Sequence, residues 1–246
     1  MNRSLRFGVL ILLTVYASTS LVACANNTLQ MTDRDVLIPS VRVSLPVVPK
    51  PESGEQAEAT WSGVTLDGEV SYLLTGEDRQ TLPAAEQVSL DKVTVAGPAT
   101  VKTRARALDV TATARTGLAI GDAFTLEPVA GIQVVNVDLE LVSPTVQGTD
   151  VSTSGGFIVG GRSAIRPLEF LELYGQYTFG YLFGGSGRVV AMEVRRGEVG
   201  ARIFGDDPLG LFAGYRWATY DQRRESEESD ANLKFRGPVF GVELHF

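Results

Sequence analysis

The stretch that most restricts the fold is the last one, Ala231 to Phe246. From Pro238 onward, Pro238, Phe240, Val242, Leu244 and Phe246 share one parity, and Gly237, Val239, Gly241, Glu243 and His245 share the other. A period of two is that of a β-strand. One face is continuously apolar and the other is small or polar, so the strand separates two unlike media. A helical bundle is excluded at this end of the chain.

The same alternation recurs upstream. Counting from Ala59 gives eight segments, at about 60–75, 104–120, 123–140, 155–165, 168–183, 187–205, 208–220 and the closing strand. In the second, Leu108, Val110, Ala112, Ala114, Leu118 and Ile120 oppose Asp109, Thr111, Thr113, Arg115 and Gly117. The third loses clean phase near Val135 to Leu141. The sixth changes phase between Val190, Met192, Val194 and Val199, Ala201, Ile203, which predicts a bulge near Arg195 to Gly197. Turn-forming pairs at Gly121-Asp122, Arg166-Pro167 and Gly205 to Pro208 predict tight turns. The links at about 76–103, 141–154 and 221–231 are longer. Short and long connections alternate, so the expectation is an all-β, eight-stranded antiparallel up-and-down barrel with both ends of the chain on one side.

Eight strands enclose a space just wide enough for their own side chains. The non-apolar parity contributes Asp67, Glu69, Asp109, Glu127, Glu172, Glu198 and Glu243 together with Arg115, Arg162, Arg202 and Arg216. Buried charges have to be paired or hydrated. The expectation is a salt-bridged interior that plugs the barrel. Tyr72, Phe124, Tyr181 and Trp217 fall near strand ends, where interfacial aromatics sit.

Ahead of this domain, Arg3 and Arg6 precede an apolar run from Phe7 to Tyr16, the layout of a secretory signal. Leu21-Val22-Ala23-Cys24 resembles the lipobox of bacterial lipoproteins, which implies cleavage after residue 23 and acylation of Cys24. Cys24 is the sole cysteine, so no intrachain disulfide forms. Residues 24–58 hold Pro39, Pro46, Pro49 and Pro51, and proline at that density favours an extended tether. A short strand through Val41 to Val48, packed at the barrel mouth or plugging it, is the alternative. A net charge of −7 excludes a nucleic-acid partner on electrostatic grounds.

Strand pattern, turn alternation and the terminal aromatic together resemble small outer-membrane barrels of the OmpA/OmpX type over residues 59–246. The resemblance implies a transmembrane barrel in the bacterial outer membrane of a Gram-negative envelope, in contact with its lipid and lipopolysaccharide. It also implies recognition by the barrel-assembly machinery through Phe240, Val242, Leu244 and Phe246 of the closing strand. A non-enzymatic role in envelope structure or surface interaction follows, with no cofactor and no metal. Two alternatives stand beside it: a lipid-anchored lipocalin-like barrel with inverted faces that binds a hydrophobic ligand, and an enzyme acting on outer-membrane lipid. The sole histidine, His245, is the one residue available to the latter as a base. No His/Cys cluster suits a metal.

Overall fold

The computed structural model describes residues 29–48, 60–91, 93–120, 124–186, 189–204, 208–225 and 230–246. The leader at 1–23, Cys24 and the Gly121-Asp122 turn lie outside these residues. The described chain is built of strands: β1 (Leu29–Asp35), β2 (Ile38–Val48), β3 (Thr60–Leu74), β4 (Asp78–Leu82), β5 (Gln87–Leu90), β6 (Val93–Ala96), β7 (Ala99–Ile120), β8 (Phe124–Val142), β9 (Gln147–Leu168), β10 (Leu171–Ser186), β11 (Val189–Phe204), β12 (Leu209–Arg224) and β13 (Ala231–His245).

Strands β3 and β7 to β13 are the eight alternating segments, each antiparallel to the next. They do not close on one another. The ring has nine members, because β2 is inserted between β13 and β3, parallel to the first and antiparallel to the second. Strand β1 runs along the upstream part of β13 in the same direction, so β1 and β2 form one interrupted strand that follows β13. The expected eight-stranded up-and-down closure is therefore corrected. So is the proline-rich tether over this stretch, since residues 29–48 belong to the sheet. Pro39 and Pro46 each lack one donor, and both are accommodated in β2 opposite Phe240 and Thr65.

The interruption between β1 and β2 is held by Gly237. The Val36 amide donates to the Arg236 carbonyl at 2.7 Å. Gly237 has φ +153°, and a Cβ built there would stand 1.9 Å from the Val36 carbonyl oxygen. Only glycine permits this approach. The parallel seam also separates the ends of the described chain: Leu29 pairs with Ala231 and Ser44 with His245. The end that holds Phe246 is called the tail end here, and the opposite one the cap end. The expected barrel's own ends do share one side, since β3 begins at the tail end beside β7's Ala119 while Phe246 ends there; it is the added β1–β2 segment that enters the sheet at the cap end.

Along β7 and β8 side-chain parity persists, but its polarity inverts part way. On the tail-end part of β8, Glu127 and Gln133 point inward while Leu126, Ile132 and Val134 point outward; beyond them Val135, Val137, Leu139 and Leu141 are inward while Asn136, Asp138 and Glu140 are outward. On β7 the same exchange separates inward Asp109 from Ala107 and Ala105, and outward Leu108 from Arg106 and Arg104. This inversion accounts for the apparent loss of phase at Val135 to Leu141. It also removes the bulge expected at Arg195 to Gly197, where β11 keeps unbroken register with both neighbours. Met192 and Val194 are buried in the inward apolar set, and the register shift falls between Val189 and Ala191.

The connections differ accordingly. The link expected at 141–154 is mostly strand and contracts to a turn closed by Ser143 N–H donating to the Val146 carbonyl at 2.9 Å. The turn expected at Arg166-Pro167 falls instead at Glu169-Phe170. Within 76–103, β4 extends the sheet by pairing with β7, and β5 and β6 form a hairpin whose Val88 and Leu90 are buried in the same apolar core as Leu139 and Leu182. This hairpin packs against the start of β9, where a Cβ on Gly148 would lie 2.7 Å from the Leu90 carbonyl oxygen.

Gly237→Val introduces a side chain where the Val36 carbonyl stands, at a φ that valine does not adopt. We expect a loss of about 2 kcal/mol or more and a Tm lowered by about 4–8 °C, read by circular dichroism in detergent. The effect on Gly68→Val, whose Cβ meets nothing within 4 Å, should be small.

Candidate functional site: the ion-paired interior

Period-two alternation in nine adjoining walls brings acids and arginines of distant sequence into one lumen. At its centre Arg216 of β12, 1% exposed, bridges two carboxylates. Its Nε donates to Glu198 Oε2 at 2.7 Å, its Nη2 pairs with Glu69 of β3, and its Nη1 donates to Ser71 Oγ at 2.7 Å. Arg196 Nη2 reaches the other oxygen of Glu69 at 2.8 Å. Arg42 of β2 pairs with Glu198 at 2.5 Å and donates to the Tyr174 hydroxyl at 2.9 Å, with its guanidinium 3.8 Å above the Phe212 ring. Such planar forks suit guanidinium, which binds carboxylate and stacks on an aromatic at once.

Towards the tail end a second chain of pairs runs around the wall. Arg115 joins Asp67 at 2.6 Å and Glu127 at 2.9 Å. Arg162 joins Glu127 at 2.7 Å and also Glu172, and Glu172 takes Arg166 at 3.0 Å. Arg202 lies 3.2 Å from Glu243, and Ser44 Oγ lies 2.6 Å from Asp67 and 2.8 Å from Glu243. Towards the cap end, Asp109 accepts from the Gln133 amide at 2.8 Å and the Tyr220 hydroxyl at 2.8 Å. Above that level the interior is apolar except for polar groups such as Arg224, which pairs with Asp150 at 2.8 Å.

All eleven charged residues expected inside stand in this network: Asp67, Glu69, Asp109, Arg115, Glu127, Arg162, Glu172, Glu198, Arg202, Arg216 and Glu243. Sequence reasoning missed Arg42, because the strand it allowed through Val41 to Val48 was placed at the mouth or in the lumen rather than in the wall, and Arg196, because a bulge was expected there. It also passed over Tyr174 and Tyr220, whose inward parity was the available signal. With Arg42 and Arg196 counted, seven acids face six arginines, and Arg166 at the rim supplies the seventh cation to Glu172. Over these rungs the described charges balance. A gap beside Arg42, Asp67, Arg115, Arg196 and Arg202 has a volume of about 20 Å³, room for about one water.

The closing strand turns Phe240, Val242, Leu244 and Phe246 outward, with Phe246 69% exposed. His245 turns inward at the tail-end rim. Its Nε2 is 3.7 Å from Glu243 and its ring packs edge-on against Phe204 at 4.9 Å. Among the described residues it makes no hydrogen bond to a hydroxyl. No group of three metal-ligating side chains converges among them either.

The geometry defines a closed, β-barrel-like ring with a self-paired interior. No protein-family model, curated protein or solved structure matches the chain.

Arg216→Met leaves Glu69 and Glu198 short of their shared cation in a dry interior, which we expect to cost about 3–5 kcal/mol. Adding Glu198→Gln to it should recover part of that loss. Denaturant unfolding of the two single variants and the double variant measures the coupling.

Proposed function

We propose that the chain is a non-enzymatic integral barrel of the bacterial outer membrane, serving envelope structure or surface interaction through its cap end. The observation that carries this reading is the outward apolar band. On β7 it runs from Leu108 to Ile120, on β8 from Phe124 to Val134, on β12 from Leu209 to Trp217, and on β13 from Pro238 to Phe246. Large side chains in it stand open, such as Phe157 at 69% and Leu211 at 57%. An apolar surface of this extent is unfavourable in water. Leu108 to Ile120 is about twelve steps at about 3.4 Å, or roughly 29 Å of height at a tilt of about 45°, which matches a bilayer core. Above the band, polar residues circle the exterior: Lys102, Arg104 and Arg106 on β7, Asp138 and Glu140 on β8, and Lys234 and Arg236 on β13. A cap-end half with polar exterior and apolar interior suits a part that stands out of the membrane into water.

The ion-paired lumen, crossed by Arg42, Arg196 and Arg216, supports an anchor rather than a channel. Contact with membrane lipid and lipopolysaccharide, and assembly through the outward residues of the closing strand, complete the reading. The tail end, with Phe246, then faces the periplasm. Acylation of Cys24 is a separate element of the proposal, tested by loss of incorporated palmitate in Cys24→Ala.

The lipocalin-like alternative draws on one observation, the apolar interior of the cap-end half. That interior is packed by Leu139, Leu141, Leu182 and Leu233, each fully buried. A hydrophobic ligand would need space among them.

Membrane fractionation decides between these readings. An integral barrel stays in the outer-membrane pellet after alkaline extraction and changes gel mobility on boiling. If Cys24→Ala instead releases a soluble protein, the membrane reading fails. In a bilayer, Ala130→Arg near mid-band should cost about 2–4 kcal/mol, whereas Thr149→Arg in the polar collar should cost under about 1 kcal/mol. Unfolding in lipid vesicles measures both. Reconstituted protein should give no steady conductance across a planar bilayer.

A further inference from the structure

We propose that the acyl chains carried by Cys24 lie in a shallow apolar groove on the outer wall of the ring, over β2, β3, β7 and β8, in the leaflet on the cap-end side. This rests on the membrane-spanning reading and on acylation of Cys24, and it names the surface and the leaflet that receive that anchor.

The groove comes from small side chains inside a band of large ones. Its floor is Gly68 of β3, Ala112 and Ala114 of β7 and Ala130 of β8, which register sets side by side: Gly68 is opposite Ala112, and Ala114 is opposite Ala130. Val43 and Leu45 of β2 and Leu66 of β3 rise on one side and Ile132 of β8 on the other. The space between them is about 490 Å³, within the range of clefts that hold apolar ligands. Elsewhere the outward positions of the band carry large side chains such as Phe157, Tyr177, Phe179 and Leu211. Gly68 is informative because no crowding demands it. A Cβ on Gly131 of β8 would lie 2.1 Å from the Ala112 carbonyl oxygen, whereas one on Gly68 meets nothing within 4 Å. Glycine inside a strand weakens it and gives up packing area. With no close backbone to account for it, what Gly68 contributes is the depth of the groove.

The path of the chain selects the occupant. Strand β1 enters the sheet at the cap end, and its line continues into β2, which is a wall of the groove. Leu29 stands eight residues above Leu37, the first exposed apolar residue on this line. At a rise of about 3.4 Å and a tilt of about 45° that is a height of about 19 Å. Five residues lead from Leu29 back to Cys24, and they extend over at most about 17 Å. That length brings Cys24 to the upper edge of the apolar band and no lower. The other leaflet lies across a hydrocarbon core of about 30 Å, out of reach along the outside of the wall. The way through the lumen is closed by the ion pairs of Arg42, Arg196 and Arg216. An anchor on Cys24 therefore enters the cap-end leaflet. On β7 the groove begins four residues below Leu108, at Ala112, and continues to Ala114. Its depth is about 10–14 Å below the edge, within the roughly 15 Å that the chains of one leaflet span. Any bilayer lipid can touch the band, but the chains on Cys24 are tethered beside β2 and present there at the high effective concentration of a linked ligand.

The test uses the full chain, processed in cells fed a palmitate analogue that carries a diazirine and an alkyne. Isolated outer membranes are irradiated, and adducts that contain the Cys24 peptide are mapped by mass spectrometry. We expect these adducts on the peptides holding Gly68, Ala112 to Ala114 and Ala130, roughly fivefold or more above those on β10 to β12. Filling the groove with Gly68→Leu and Ala114→Leu together should lower the groove adducts by a similar factor, while Cys24 still carries palmitate and the protein still shifts mobility on boiling. Ala213→Leu on the opposite wall should leave them unchanged. The wild-type map decides the matter even where the filled variant fails to assemble. Adducts spread evenly around the ring overturn the proposal. So do adducts centred on the tail-end residues Leu118 and Leu126, which put the anchor in the other leaflet, and adducts that join two copies of the chain. A Cys24 without palmitate ends this proposal and leaves the barrel standing, whereas release of Cys24→Ala from the membrane by alkali ends the membrane reading itself.

Discussion

The structure depends on closing a ring with a strand that is not part of the alternating series. Strands β3 and β13 each have an edge of unpaired backbone groups until β2 lies between them, and such edges invite association with other chains. Once β2 is in place, it pairs Val64–Ser71 of β3 and Val239–His245 of β13, and β1 pairs the upstream part of β13. The same strand contributes Arg42 to Glu198 across the lumen and Ser44 to Asp67 and Glu243. Backbone closure and interior charge pairing are therefore coupled through one short segment.

Over those rungs the interior charges balance by sharing. Glu69 serves Arg216 and Arg196, Glu127 serves Arg115 and Arg162, and Glu172 serves Arg162 and Arg166. Each carboxylate oxygen is used, and aromatic faces take up guanidinium planes where carboxylates run out. Buried ion pairs of this kind add little stability compared with well-packed apolar side chains, but they are costly to break one partner at a time. They fix which rungs face each other across the lumen. The strands are in this way held in one register by side chains as well as by their ladders.

Much of this was legible in the residues themselves. Period-two runs located β3 and β7 to β13, and the parity opposite the apolar one gave the interior charges, because parity survives wherever a strand has no bulge. Three features were hidden for separate physical reasons. Proline density favoured a tether over the strand that Val41 to Val48 also allowed, and it hid that strand's place in the wall, although each proline removes only one donor and the strand tolerates it. The hairpin of β5 and β6 was hidden in a long link, with Asp91 at φ 52° in its turn. Most instructive is the exchange of faces along β7, β8 and β11. A reading that expects the outward face to stay apolar throughout takes such an exchange for a slip, and so Arg196 was assigned to a bulge and Met192 to the outside.

If the chain spans a bilayer as proposed, that exchange gives it a waterline. On β8 the step from Val134 to Asn136 is two residues, and on β7 the step from Leu108 to Arg106 is the same. Sinking the ring by one such step would draw a circle of charges into hydrocarbon, and raising it would strand a circle of large apolar side chains in water. Both displacements are unfavourable, and they oppose each other on every strand where the step occurs. In that setting a cylinder marked in this way would have its depth and its upright posture set by its own walls, as a float does by its ballast, and whatever the cap end presents would be carried at a fixed height above the lipid surface.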